Sequence, residues 1–218
     1  MTTGMPGGEP RATGLAGLAA DLWTASADQA ARILAHPFVR GLGEGTLALP
    51  SFKGYVAQDA YFLEAFARAY AFCLANSVAR EDLHGFAGLI EGVLDELKLH
   101  AGYANRWNVE LAGVVPGPAT RAYTEFLLET ARRGNLGETI AAMTPCKRLY
   151  AFLGQSLARG RVAAPYADWV STYADPGFEA LAASLETLLD RHATDTPGVR
   201  ANYRRAMDLE YGFFDACA

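Results

Sequence analysis

The chain has 218 residues, 51% of them hydrophobic and 20% charged, which is enough for one substantial core and too apolar for a disordered chain. Its net charge of −5, without any clustered Lys/Arg run, argues against a nucleic-acid partner, and no apolar stretch is long enough to span a bilayer. Three widely spaced cysteines, Cys73, Cys146 and Cys217, form no CxxC pair and no disulfide framework, which fits a reducing, cytoplasmic setting.

Met1 to Gly14 is rich in Gly, Pro and Thr and reads as a loose tail rather than a signal peptide. Residues 15–218 read as one all-helical domain. Leu15, Leu18, Leu22 and Trp23 mark a first amphipathic helix running to about Leu34. His36-Pro37, which reads as a helix junction, and the glycine-rich stretch Gly41 to Gly45 are expected to break the chain. A long helix follows from about Pro50 to Asn76, with Phe52, Tyr55, Val56, Phe62, Leu63, Phe66, Tyr70 and Cys73 on its apolar positions. Another runs from Arg80 to about Asn108, with Leu83, Phe86, Ile90, Leu94 and Leu97 as its apolar stripe. After a loop at Gly113 to Pro118, helices are expected over about 119–133 and 136–158, then a short one from Pro165 to near Tyr173. Asp175-Pro176 and Thr196-Pro197 each read as a cap followed by proline at the first helical position. Alternating strand patterns are almost absent, so the fold class is all-α, a compact multi-helix bundle of about eight or nine helices.

Several polar groups fall on apolar faces. Cys146 follows Pro145 and precedes Tyr150 by one turn. A proline inside a helix removes one backbone hydrogen bond and bends the helix, which opens access to a thiol. A free cysteine is also an ordinary small core residue. Asp59 shares a helical face with Tyr55, Phe62, Leu63 and Phe66; such a carboxylate either bonds another helix or grips the polar edge of a ligand. Glu210 lies on a face with Phe213 and Phe214, where an apolar setting raises a carboxyl toward neutral pH and suits proton transfer; glutamates are more commonly exposed. Tyr55, Tyr61, Tyr123, Tyr150 and Tyr173 fall on or near apolar stripes. Glu96 and His100 are spaced as metal ligands could be, but only four histidines exist and no second acid–histidine pair faces them, so a hydrogen bond or salt bridge is the better reading. No phosphate loop, nucleophile elbow or zinc spacing is present.

Taken together, the segments His36-Pro-Phe-Val, Gly43-Glu-Gly-Thr-Leu, Phe52 to Leu63, Phe66-Ala-Arg-Ala-Tyr70, Pro145 to Tyr150, Trp169 to Tyr173 and Glu210 to Asp215 resemble the thiaminase II (TenA) family. The resemblance covers the chain from about Leu15 and implies a haem-oxygenase-like fold. It also implies an aminopyrimidine aminohydrolase of thiamin salvage, with Cys146 as nucleophile, Glu210 as acid and base, and Tyr123 beside the thiol. Asp59 would hold the aminopyrimidine edge, and Phe62, Tyr150, Tyr173 and Phe214 would line the pocket. Phe62 stands where a family tyrosine is expected, keeping a stacking face without its hydroxyl, and Phe214 stands where many members carry tryptophan. Cys146 places the chain in the cysteine-containing branch. The implied partner is a small pyrimidine and the implied assembly a homotetramer, with no metal and no cofactor. The competing readings are a di-iron oxygenase on the same scaffold and a non-catalytic pyrimidine-binding regulator.

Overall fold

The computed structural model describes residues 17–160 and 162–218; the tail reading and Leu15 lie outside the described residues. Among the described residues there are ten α-helices, one short 3-10 turn and no strand. The first expected helix is two, α1 (Leu18–Ala25) and α2 (Ala27–Leu34). The divide is Ser26, whose hydroxyl turns back to the Leu22 carbonyl at 2.9 Å while its backbone leaves helical geometry.

The expected break after His36 is instead a helix, α3 (Pro37–Glu44). His36 Nδ1 accepts from the Phe38 amide at 3.2 Å and Pro37 opens the first turn, so the junction starts a helix. Its glycines serve packing: a Cβ on Gly41 would stand 3.0 Å from the Leu47 amide nitrogen, so glycine lets the following chain fold back onto α3.

Two 28-residue helices, α4 (Leu49–Asn76) and α5 (Arg80–Trp107), form the longest pair, each about 42 Å at 1.5 Å per residue. The α5 stripe is rotated from the expected one. Leu83 and Leu94 are exposed, whereas Phe86, Leu89, Val93, Glu96, His100 and Tyr103 are buried. Those six follow alternating steps of three and four, the spacing of a packed seam, so Glu96 and His100 occupy core positions.

After α6 (Pro118–Arg132), helix α7 (Leu136–Ala158) runs through the centre, packed against α4, α6, α8, α9 and α10. Pro145 lies inside it, and its missing N–H leaves the Ala141 carbonyl without a helical donor. A 3-10 turn (Ala164–Tyr166) leads into α8 (Ala167–Ala174), α9 (Pro176–His192) and α10 (Pro197–Ala216). Asp175 and Thr196 cap the last two as expected, accepting from Gly177 N at 2.7 Å and Val199 N at 3.2 Å. Among the described residues no helix is long and apolar enough to cross a membrane.

Candidate active site

The helices α4, α5, α6, α7, α8 and α10 each send polar side chains into one apolar interior. Glu210 on α10 is 1% exposed. Its Oε1 accepts from the Tyr123 hydroxyl of α6 at 2.7 Å. Burial pushes its carboxyl up to about 8, while hydrogen bonds from Tyr123 and the Cys146 thiol pull the other way. Cys146, on α7, is therefore beside Glu210. Its thiol is raised well above the ordinary range by burial and then by the Glu210 charge, against which Lys147 acts. Burial and Glu210 likewise hold the Tyr123 hydroxyl protonated. The resting arrangement is thus a neutral carboxylic acid with a phenol and a thiol as its hydrogen-bonding neighbours.

Asp59 on α4 is also buried, and His100 of α5 approaches its Oδ2 at 2.8 Å through Nε2. The other ring nitrogen, Nδ1, lies 2.9 Å from the Glu96 carbonyl, which can only accept, so Nδ1 carries a hydrogen. Burial pushes His100 down, but the Asp59 carboxylate outweighs it and raises the imidazole. The ring therefore donates at both ends and fixes Asp59 against α5.

Beside this pair runs a second one. Glu96 accepts from Lys147 Nζ at 2.5 Å and from the Tyr173 hydroxyl of α8 at 2.7 Å. Lys147 is fully enclosed, with its ammonium 4.8 Å from the centre of the Phe178 ring. Burial pushes Lys147 down and Glu96 more than restores it. Glu96 also lines an open cleft of about 520 Å³ with Asp95, Ser171, Thr172 and Phe178.

Aromatic rings surround these groups. Phe62 packs on Tyr123 at 4.7 Å and Phe213 at 5.9 Å, while Tyr150 packs on Phe214 at 5.8 Å and Tyr173 at 4.8 Å. The Tyr55 hydroxyl donates to Tyr150 Oη at 3.3 Å and accepts from Trp169 Nε1 at 3.2 Å.

Tyr123 and Cys146 thus both meet Glu210. Asp59, Phe62, Tyr150, Tyr173 and Phe214 are buried in the same core, Phe214 chiefly as packing for Phe38, Tyr55 and Tyr150. Tyr61, in contrast, is 36% exposed and belongs to the outer face of α4. His100 bonds as the bland reading expected, though to Asp59 through its side chain and to Glu96 only through the backbone. Among the described residues no cluster of three His, Cys, Asp or Glu could hold a metal ion. Lys147 and Glu96 had not been singled out as a pair. The signal lay in spacing: Met143, Lys147 and Tyr150 fall on one inward face of α7.

These features define an all-helical bundle with a buried thiol–carboxylic acid site. The chain belongs to the TENA/THI-4/PQQC family, whose profile matches residues 23–218. It is 34% identical over 166 residues to the aminopyrimidine aminohydrolase of Halalkalibacterium halodurans, covering 72% of this chain and 74% of that protein. It is also 34% identical over 208 residues to the bifunctional TH2 protein of Arabidopsis thaliana, covering 83% of this chain. This chain spans 34% of the length of TH2 and 27% of the length of the multifunctional ThiED protein of Corynebacterium efficiens. Among solved structures, a TenA family transcription regulator from Silicibacter sp. TM1040 superposes with a TM-score of 0.86 at 29% identity, covering 92% of this chain and 96% of the other. A TenA homologue from P. horikoshii shares the fold with a TM-score of 0.83 at 24% identity.

Proposed function

We propose that this chain is an aminopyrimidine aminohydrolase of the thiaminase II type, acting in thiamin salvage. Its substrate is 4-amino-5-aminomethyl-2-methylpyrimidine, with the formylated form and thiamin as further candidates. The observation that carries the reading is Glu210, a buried carboxylic acid lodged between the Tyr123 hydroxyl and the Cys146 thiol. An acid kept protonated near neutral pH beside a nucleophile is what addition to an aromatic ring needs.

The Cys146 sulfur adds to a ring carbon of the pyrimidine as Glu210 gives its proton to a ring nitrogen. The electron pair returned by the dearomatised ring expels the exocyclic nitrogen, which leaves as the amine carrying the proton released by the Cys146 thiol. Water then adds to the exocyclic methylene, passing a proton to Glu210, and the sulfur departs with the ring nitrogen's proton, restoring both the aromatic ring and the thiol. The products are the hydroxymethylpyrimidine and the free amine. Asp59, held by His100, accepts from the 4-amino edge and sets the ring's orientation. Phe62 and Tyr150, both buried in this core, are assigned to sandwich the pyrimidine ring. The enzyme is one catalytic domain over 15–218, assembled as a cytoplasmic homotetramer.

The test is hydrolysis of the aminomethylpyrimidine by the purified full chain and its Cys146→Ala and Asp59→Asn variants. Loss of turnover with retained pyrimidine binding is expected for Cys146→Ala, and weaker binding with the fold intact for Asp59→Asn. Retention of most hydrolysis by Cys146→Ala rejects the covalent role. Tight pyrimidine binding by the unmodified chain without any turnover favours a binding protein instead.

A further inference from the structure

In the buried site one hydroxyl stands without any hydrogen-bond partner. Tyr123 gives its hydrogen to Glu210, Tyr173 and Lys147 give theirs to Glu96, His100 gives to Asp59 and to a carbonyl, and Tyr55 gives to Tyr150. Tyr70 is fully buried, and its hydroxyl neither donates nor accepts among the described residues. A phenol buried in this way costs about 1–3 kcal/mol of unrecovered hydration, so natural structures retain few of them. Two other buried tyrosine hydroxyls, of Tyr103 and Tyr203, also lack partners, but their charged neighbours are Asp168 with Arg106 and Glu186 with Arg148, outside the site.

Tyr70 stands elsewhere. Asp59, Phe62, Phe66, Tyr70 and Cys73 follow one another at steps of three and four along α4, so Tyr70 is on the face that carries Asp59. Its ring meets Phe66 edge-on at 5.0 Å, and the Lys147 ammonium, next in sequence to the thiol, lies 5.9 Å from the Phe66 ring centre. After burial itself, the group that most opposes ionisation of Tyr70 is a charge on Cys146, followed by Cys73 and Glu96. A Cys146 thiolate would face Glu210, Glu96 and Asp59, from α10, α5 and α4, all of which disfavour it. The one cation that favours it, Lys147, is already bonded to Glu96. The thiolate therefore lacks a free cation, and Tyr70 is a buried donor without an acceptor of its own.

We infer that the Tyr70 hydroxyl donates a hydrogen bond to the sulfur of Cys146 when that sulfur carries negative charge, making Tyr70 a further catalytic residue. This rests on reading Cys146 as the nucleophile. The bond is assigned to the ionised state, in which sulfur is the stronger acceptor. Cys73, a buried free thiol one turn further along α4, has no part in the proposed addition and carries no charge in it.

The variant Tyr70→Phe removes only the hydroxyl, and Tyr203→Phe serves as the control. Thermal stability of both should hold or rise, since each loses an unsatisfied polar group. For Tyr70→Phe, kcat should fall about ten- to a hundredfold, as expected for one hydrogen bond to a charged group, with its pH profile displaced upward by about one unit. Binding of 4-amino-5-hydroxymethyl-2-methylpyrimidine should stay unchanged, and Tyr203→Phe should match the unmodified chain throughout. Unchanged kcat and pH profile in a folded Tyr70→Phe overturn the assignment, and so does a loss confined to pyrimidine affinity. If the unmodified chain hydrolyses no aminopyrimidine, the proposed function fails. The rate of Cys146 modification by methyl methanethiosulfonate against pH, read on its own peptide by mass spectrometry, then decides the Tyr70 assignment. Slower modification in Tyr70→Phe supports it and equal rates overturn it.

Discussion

Replacing Glu210 by Gln makes the buried acid visible as a dependence of stability on pH. The carboxyl is shifted from an ordinary 4.5 to about 8, chiefly by burial. The folded state therefore binds more protons than the unfolded chain between those two values, and stability is lost as pH rises through that window. Three and a half pH units at about 1.4 kcal/mol each amount to about 5 kcal/mol. Gln keeps an oxygen to accept from Tyr123 and has no proton to lose. Urea denaturation from pH 5 to 9 should show the unmodified chain losing about 4–5 kcal/mol relative to Glu210→Gln across the window. The variant becomes the more stable protein at the alkaline end. Titrations of His100 and the surface groups are largely common to both chains and cancel in the difference. In parallel, aminopyrimidine hydrolysis should drop by about 10²–10⁴-fold at every pH, the usual effect of removing a general acid. Two stability curves of equal slope would mean that Glu210 ionises as a solvated glutamate does, and the assignment of the acid would fall with it.

Two further substitutions probe the frame around the site. Lys147→Met removes the cation that faces Glu96 at 2.5 Å and leaves a buried carboxylate with only the Tyr173 hydroxyl. A loss of about 3–5 kcal/mol in urea denaturation is expected, recovered in part by adding Glu96→Gln. Gly154→Ala would place a Cβ 2.3 Å from the Tyr173 carbonyl carbon and 2.6 Å from the Ala174 nitrogen, both backbone atoms that cannot swing away. Helices α7 and α8 must then part. A melting temperature lower by roughly 4–10 °C is expected, with a fall in hydrolysis as Tyr173 leaves Glu96.

Much of this architecture was legible because the sequence repeats one simple rule. The apolar spacing of α4 and the caps at Asp175 and Thr196 mark helices whose starts agree with the expected ones to within a residue. The glycine-rich stretch after His36 misled because glycine has two uses. It can end a helix, or it can admit a close neighbour, and Gly41 does the second against Leu47. The α5 stripe was misread for a related reason. Leu83 and Leu94 are apolar yet exposed, and the inward seam passes through Glu96 and His100. A rule that assigns apolar residues to the interior cannot find a seam carrying an acid and an imidazole. Only the partners Lys147 and Asp59, supplied by α7 and α4, make those positions tolerable. The same limit hid Lys147: the chain shows it as one cation beside a cysteine, and the pairing that buries it comes from α5.

The pairing also explains why one acid among three is suited to donate a proton. Asp59, Glu96 and Glu210 are all buried in the same interior. Asp59 has His100 and Glu96 has Lys147, each at hydrogen-bond distance, whereas Glu210 has two uncharged donors, Tyr123 and the Cys146 thiol. A buried carboxyl without a cation keeps its proton, because neutral donors recover only part of the hydration lost. Two cations for three acids is therefore a device for separating roles: the paired acids are fixed as acceptors and the unpaired one is kept as a donor. A cation placed beside Glu210 would undo the separation. Leu209 precedes it and Phe213 follows one turn on, both apolar, and the neighbouring turn of α6 presents Tyr123 and Leu127, both uncharged. The apolar character of those positions is as much a part of the proposed chemistry as the thiol itself, since it holds Glu210 protonated until a ring nitrogen arrives to take the proton.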